Sequence, residues 1–263
     1  MPLASDKKRI RLRLSYDGTD FYGWQKQPKH SPTVQGILEK LLSKIYDDTI
    51  QVVGSGRTDR GVHALNQWAH ADIPSHKNVD QLHYKLQRMT PGSISIKSIE
   101  EAPSDFHAQI SAQSKCYTYR LFPRKNPNPL IYRYSWHFKK PLDLNYLQEA
   151  SEIFLGEHDF SSFQSQGTPV STPVRKIMIC RWVPKKSGFV DFQIQGNGFL
   201  KQMVRNMVGT IMWHHEKASD IQELKDVLKA CNRSAAAAPA PPQGLFLSSV
   251  QYPQELDNKC RKL

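Results

Sequence analysis

A single carboxylate, Asp59, stands between two arginines in the stretch Gly54-Ser55-Gly56-Arg57-Thr58-Asp59-Arg60-Gly61-Val62-His63-Ala64. Arg57 and Arg60 can hold it through charge-assisted hydrogen bonds. Three glycines in eight residues (Gly54, Gly56, Gly61) ask for a tightly turning backbone or the close approach of another molecule. A lone carboxylate in so basic a setting suits a nucleophile working on a polyanion. It does not suit a metal centre, which needs further ligands nearby. By itself, an Asp after Gly-Arg-Thr also suits a turn cap.

Other chemistries find no support. GSGRTDRG is not a dinucleotide fingerprint, because Asp59 stands where the third glycine of GxGxxG belongs. The chain has no GxxxxGK[ST] and no GxSxG. His63, His70 and His76 are spaced by seven and six residues, which is not the spacing of a helical HExxH zinc site. Cys116, Cys180, Cys231 and Cys260 are scattered, as expected of free thiols in a reducing compartment.

The elements that would position Asp59 are legible around it. Residues 9–16 alternate strictly, with Ile10, Leu12, Leu14 and Tyr16 on one face and Arg9, Arg11, Arg13 and Ser15 on the other. That pattern predicts a half-buried strand whose second face is basic. An aromatic, turn-rich loop (YDGTDFYGWQ) follows. Ser31-Pro32 then reads as a helix N-cap with Pro in the first turn, continued by an apolar stripe of Val34, Leu38, Leu41 and Ile45. Strands over 50–53 and 65–73 lead into and out of the Asp59 loop. A helix over 79–89 and a strand over 93–99 complete the order β-α-β-β-α-β, a split βαβ unit.

A similar series recurs: strand 115–122, helix 144–155, strands 174–183 and 190–195, helices 199–214 and 221–231, and a last strand 245–252. The expected architecture is α/β (α+β), with two ferredoxin-like halves at 1–105 and 106–263, mostly antiparallel mixed sheets, and a basic cleft to hold a long polyanion. The SAAAAPAPP tract (234–242) reads as a loop and QELDNKCRKL as a polar tail.

The chain has 263 residues, with 36 Lys+Arg against 24 Asp+Glu, a formal net charge of +12. The excess points to a polyanionic partner and speaks to association, not to fold. The N-terminus lacks the apolar run of a secretory signal, and no stretch approaches the ~18 apolar residues of a membrane span. The expectation is a cytoplasmic protein with no membrane association.

GRTDRGVHA resembles the active-site signature of the TruA family of tRNA pseudouridine synthases, although Arg60 replaces the small residue many members carry there. Further blocks carry the same resemblance in family order: YDGTDFYGWQ, DFHA (105–108), KCYTYR (115–120), GNGFLKQMVRNMVGT (196–210) and GLFLSSVQYP (244–253). The resemblance implies a pseudouridine synthase fold with RRM-like halves, and isomerisation of uridine at positions 38–40 of the tRNA anticodon stem-loop. It implies no metal or organic cofactor, and a homodimer.

It also implies residue roles. Asp59 is the catalytic nucleophile, Arg205 pairs with and orients it, and Tyr117 stacks on the uracil. Leu245 packs in the active site, and Arg57 meets a phosphate or helps extrude the target nucleotide. Arg9, Arg11, Arg13, Arg57 and Arg60 become candidates for RNA backbone contacts. On residue type alone, Tyr117 reads as a core strand residue and Arg205 as a solvated helix position.

Whether Asp59 attacks the sugar or base, or removes a sugar proton to give a glycal, is open at this level. So are two rivals: a non-catalytic RNA-binding protein, and a hydrolytic nucleoside or glycoside enzyme. A glycosidase usually needs a second carboxylate, which the Asp59 block does not offer.

Overall fold

The alternation of residues 9–16 forms β1 (Lys7–Tyr16), and Ile10, Leu12 and Leu14 on its apolar face are fully buried. The computed structural model describes residues 6–27, 31–77, 79, 81–167 and 170–263. Contacts separate the chain into two units, Met1–Gln113 with Leu247–Leu263, and Ser114–Phe246.

In the first unit β1 is followed by α1 (Val34–Tyr46), β2 (Val52–Gly54), β3 (His63–Pro74), α2 (Leu82–Met89) and β4 (Ile94–Ala102). Antiparallel pairing joins β1 to both β3 and β4, and β2 to β3. The spatial order β4-β1-β3-β2 places β3 between β1 and β2, so the α1 crossover skips one strand as a split βαβ requires. The helix 79–89 is realised from Leu82 onward; Asn78 and Asp80 lie outside the described residues.

Two local expectations change. The cap of α1 is Thr33, whose side chain accepts from the Gly36 N–H at 3.2 Å, and not Ser31. Its buried stripe is Val34, Leu38, Leu42 and Tyr46, while Leu41 and Ile45 are only half-buried.

The second face of β1 is not an open basic surface. Arg9 and Arg11 are buried, at 8% and 4% exposure. The segment expected as a polar tail folds into α6 (Gln254–Lys259) and β11 (Arg261–Lys262), and β11 pairs with the outer edge of β4. Arg11 donates to Glu100 at 2.8 Å and to Asp257 of α6 at 2.5 Å, with its guanidinium 4.6 Å from the Trp68 ring.

The second unit runs β5 (Ser114–Pro123), β6 (Trp136–Phe138), α3 (Leu144–Glu152), β7 (Gly156–Asp159), β8 (Val174–Pro184), β9 (Val190–Gly196), α4 (Met203–Lys217) and α5 (Ile221–Lys229). Its strand order is β5-β9-β8-β7, all antiparallel, with β6 parallel to β5. Phe154, Phe160, Phe163 and Phe192 are fully buried among the core side chains. The last long strand, β10 (Leu245–Gln251), begins in this unit and ends in the first.

Helix α4 starts at Met203, four residues later than its apolar spacing suggests, because Gln202 adopts a left-handed conformation at φ 58°. Strands β6 and β7, three and four residues long, are too short to carry a periodic signal. The architecture is mixed α/β with mostly antiparallel strands, the expected fold class. No helix of the described residues is long and apolar enough to cross a membrane.

Candidate active site

Asp59 sits, half-buried, in the turn between β2 and β3, and the loop after β1 clasps that turn. Trp24 N–H donates to the Thr58 carbonyl at 3.0 Å, and Gly61 N–H reaches the Phe21 carbonyl at 3.4 Å. Two glycines make the approach possible. A Cβ on Gly18 would lie 2.0 Å from the Val62 carbonyl oxygen, and one on Gly23 (φ 91°) would lie 2.6 Å from that of Thr58. The aromatic loop is therefore the outer wall of the Asp59 turn.

A buried polar network forms its floor. Tyr16 Oη and Thr58 Oγ1 are 2.8 Å apart, Gln67 Nε2 donates to the Gly56 carbonyl at 2.8 Å, and Ser55 Oγ donates to Gln67 Oε1 at 2.5 Å. Burial raises the Tyr16 phenol to about 12, with its bonds to Thr58 and Gln67 opposing, so the hydroxyl is a neutral hydrogen-bonding group. Such networks are costly to break, because an unpaired buried polar group loses its water without replacement.

Arg57 and Arg60 are exposed, and among the described residues no carboxylate lies within ion-pair distance of either. Arg9 and Arg11 do not share that freedom, which corrects their reading as phosphate contacts. Arg9 forks onto Asp72 at 2.7 and 2.8 Å, and its Nη1 donates to the Ser104 and Phe106 carbonyls at 2.8 and 2.7 Å, fixing the start of the DFHA segment. His70 Nδ1 accepts from Ala108 N–H at 3.1 Å. Burial, with Arg9 adding, lowers His70 to about 4 and keeps that acceptor neutral.

Tyr117, Arg205 and Leu245 belong to the second unit. Tyr117 is 7% exposed on β5, its ring edge-on to Phe199 at 5.0 Å. Arg205 is 9% exposed rather than solvated, since α4 is covered by the Ala/Pro tract read as a plain loop. Arg205 Nε donates to the Ala240 carbonyl at 2.8 Å, and Ala240 N–H returns to the Arg205 carbonyl at 2.9 Å. The tract's small side chains are what let its backbone come this close.

Tyr119, two residues along β5 from Tyr117, ties these parts together. Its hydroxyl donates to the Pro241 carbonyl at 2.8 Å, and its ring lies where a Cβ on Gly244 would be, 2.7 Å from Cζ. It thereby sets the path from Ala240 to Leu245, which is 5% exposed. Burial raises the Tyr119 hydroxyl well above its ordinary value, Arg205 opposing. The only available sequence signal was the period of two with Tyr117. Among the described residues no group of three or more His, Cys, Asp or Glu is placed to hold a metal ion.

The sequence pattern of a family described as tRNA pseudouridine synthase matches residues 14–109 and 150–253. The chain is 43% identical over 261 residues to tRNA pseudouridine synthase A of Bdellovibrio bacteriovorus, covering 97% of this chain and 99% of that one. It is 40% identical to tRNA pseudouridine synthase A 1 of Protochlamydia amoebophila, covering 95% and 98%. With tRNA pseudouridine synthase A of Brevibacillus brevis the identity is 40%, covering 93% and 100%.

The chain belongs to the tRNA pseudouridine synthase family.

The synthase pattern takes in Arg57 and Asp59 in its first segment and Arg205 and Leu245 in its second. Tyr117 falls between the two segments, within the span covered by the full-length synthase relatives.

Proposed function

We propose that this protein isomerises uridine to pseudouridine in tRNA, at positions 38–40 of the anticodon stem-loop, with Asp59 as the essential carboxylate. The observation that carries the reading is full-length similarity to named synthases, in a chain whose lone Asp59 is held in a clasped, basic turn. The reaction breaks the bond from uracil N1 to the ribose, turns the base, and joins the ribose to C5. The C5 proton leaves and N1 gains one, so no oxidant is required.

Asp59 acts either as nucleophile or as the base that gives a glycal. Arg205 supplies the site's buried guanidinium, and Tyr117 supplies a ring for the uracil; stacking of this kind is worth ~1–3 kcal/mol. Leu245 helps confine the detached base, and Arg57 meets the RNA backbone. The target uridine has to leave its stack to reach such residues. The working form is a homodimer in the cytoplasm.

The test is tritium release from C5-labelled uridine in unmodified tRNA. The wild type should release tritium and leave pseudouridine in the anticodon arm. Asp59→Asn should abolish release while tRNA affinity stays within a few fold. No release by the wild type, or free uracil in place of pseudouridine, overturns the reading.

A further inference from the structure

Of the five arginines that the sequence offers to RNA near this site, two are neutralised within the fold, which leaves Arg13, Arg57 and Arg60. Arg13 lies over the Trp68 ring at 5.9 Å, whereas Arg60 sits closer to a ring and on the Asp59 turn itself. Val62 N–H bonds to the Asp59 carbonyl at 3.1 Å and Gly61 takes φ 78°, a turn that requires glycine at its third position and puts Arg60 at its outer corner. A long side chain at such a corner normally sweeps through solvent. Here the Arg60 guanidinium carbon lies 4.2 Å from the centre of the Tyr22 ring, which is itself 38% exposed.

Tyr22 is held from both sides. Its neighbours Phe21 and Trp24 are the residues hydrogen-bonded to Gly61 and Thr58 of the Asp59 turn. Its own N–H donates to the Pro32 carbonyl at 2.8 Å, and its carbonyl accepts from Gln27 Nε2 at 3.1 Å. Ring and guanidinium therefore stand on one stitched piece of backbone, immediately beside the proposed catalytic carboxylate. Stacking occupies the flat face of a guanidinium and leaves the N–H groups along its edge to bind a phosphate.

We propose that Arg60 and Tyr22 form a preorganised clamp for a phosphate of the RNA strand next to the reacting nucleotide. The proposal rests on the reading of the site as one that takes a uridine from RNA. The ring's part is to hold the cation in one place before RNA arrives, so that less side-chain freedom is lost on binding. Arg60, the residue that departs from the family's signature, thereby becomes a substrate contact.

The experiment is the salt dependence of equilibrium binding to unmodified tRNA, measured for wild type, Arg60→Ala, Tyr22→Ala and the double variant. Loss of one phosphate contact should flatten the slope of log affinity against log salt by about 0.7–0.9 in Arg60→Ala. Tyr22→Ala keeps the charge, so it should weaken binding severalfold with the wild-type slope. It should add nothing once Arg60 is gone. A wild-type slope in Arg60→Ala overturns the clamp, and so do additive losses in the double variant. Tritium release by the wild type separates the two failures: release with an unchanged Arg60→Ala slope removes the clamp alone, while no release removes the reaction.

Discussion

Tyr16 Oη and Thr58 Oγ1 face each other at 2.8 Å beneath the Asp59 turn, one residue before the carboxylate. Tyr16→Phe removes one partner and strands the other in a buried site. The expected cost is about 1–3 kcal/mol of stability. Turnover should fall about tenfold or more, with tRNA affinity within a few fold. Urea unfolding and single-turnover tritium release check both, and wild-type turnover would show that this bond does not position Asp59.

Gly18→Ala should do more harm than its single methyl suggests. The added carbon would stand 2.0 Å from the Val62 carbonyl oxygen, so the Asp59 turn or the β1 loop has to move. Overpacking of this sort costs about 1–3 kcal/mol or more. We expect at least a hundredfold loss of activity. Gly92→Ala is the control, since a Cβ there meets nothing within 4 Å. Equal activities of the two variants would contradict the clasp.

His70 should make the first unit acid-sensitive. Its folded value is lowered from 6.5 to about 4, so the unfolded chain takes up a proton that the folded chain refuses. The stabilisation is complete above pH 6.5 and is lost as pH falls toward 4, about 3 kcal/mol in all. His70→Gln retains an acceptor for Ala108 N–H and should remove that share of the pH dependence between 7.5 and 4.5. Parallel stability-versus-pH curves for the two proteins would rule the assignment out.

Tyr119→Phe tests whether the Ala/Pro tract is held in place for Arg205. Losing the bond to the Pro241 carbonyl should cost about 1 kcal/mol. Turnover should fall severalfold although Arg205 itself is untouched. Pulsed hydrogen exchange at Ala240 N–H should quicken in the variant, and unchanged protection there would count against it.

Local pattern made much of this legible. The alternation in β1, the glycines and arginines around Asp59 and the period of two in β5 are each written within a few residues. What pattern could not supply was the cover over each face. Arg9 and Arg11 read as a basic surface because their partners Asp72, Glu100 and Asp257 lie far along the chain. Arg205 read as solvated because the tract that buries it consists mostly of alanine and proline, whose value is in backbone proximity rather than side-chain chemistry. The start of α4 is not legible in the sequence because no residue type announces a left-handed glutamine at position 202. The role of Tyr119 needed the position of Gly244, which only the folded backbone provides.

Strand β10 carries the chain out of the second unit and back into the first, and this return sets an order of events during synthesis. Asn66 Nδ2 donates to the Ser248 carbonyl across 182 positions, the Tyr252 hydroxyl to the Ala108 carbonyl across 144, and Arg11 meets Asp257 across 246. On the ribosome, the segment bearing Asp59 emerges early and waits for residues 247–263 before its sheet is finished. The second unit, continuous in sequence, has no such delay. Contacts of such long range are slow to form and leave apolar surface uncovered meanwhile. The nascent stretch up to Gln113 is thus the part of the chain with most to gain from a chaperone.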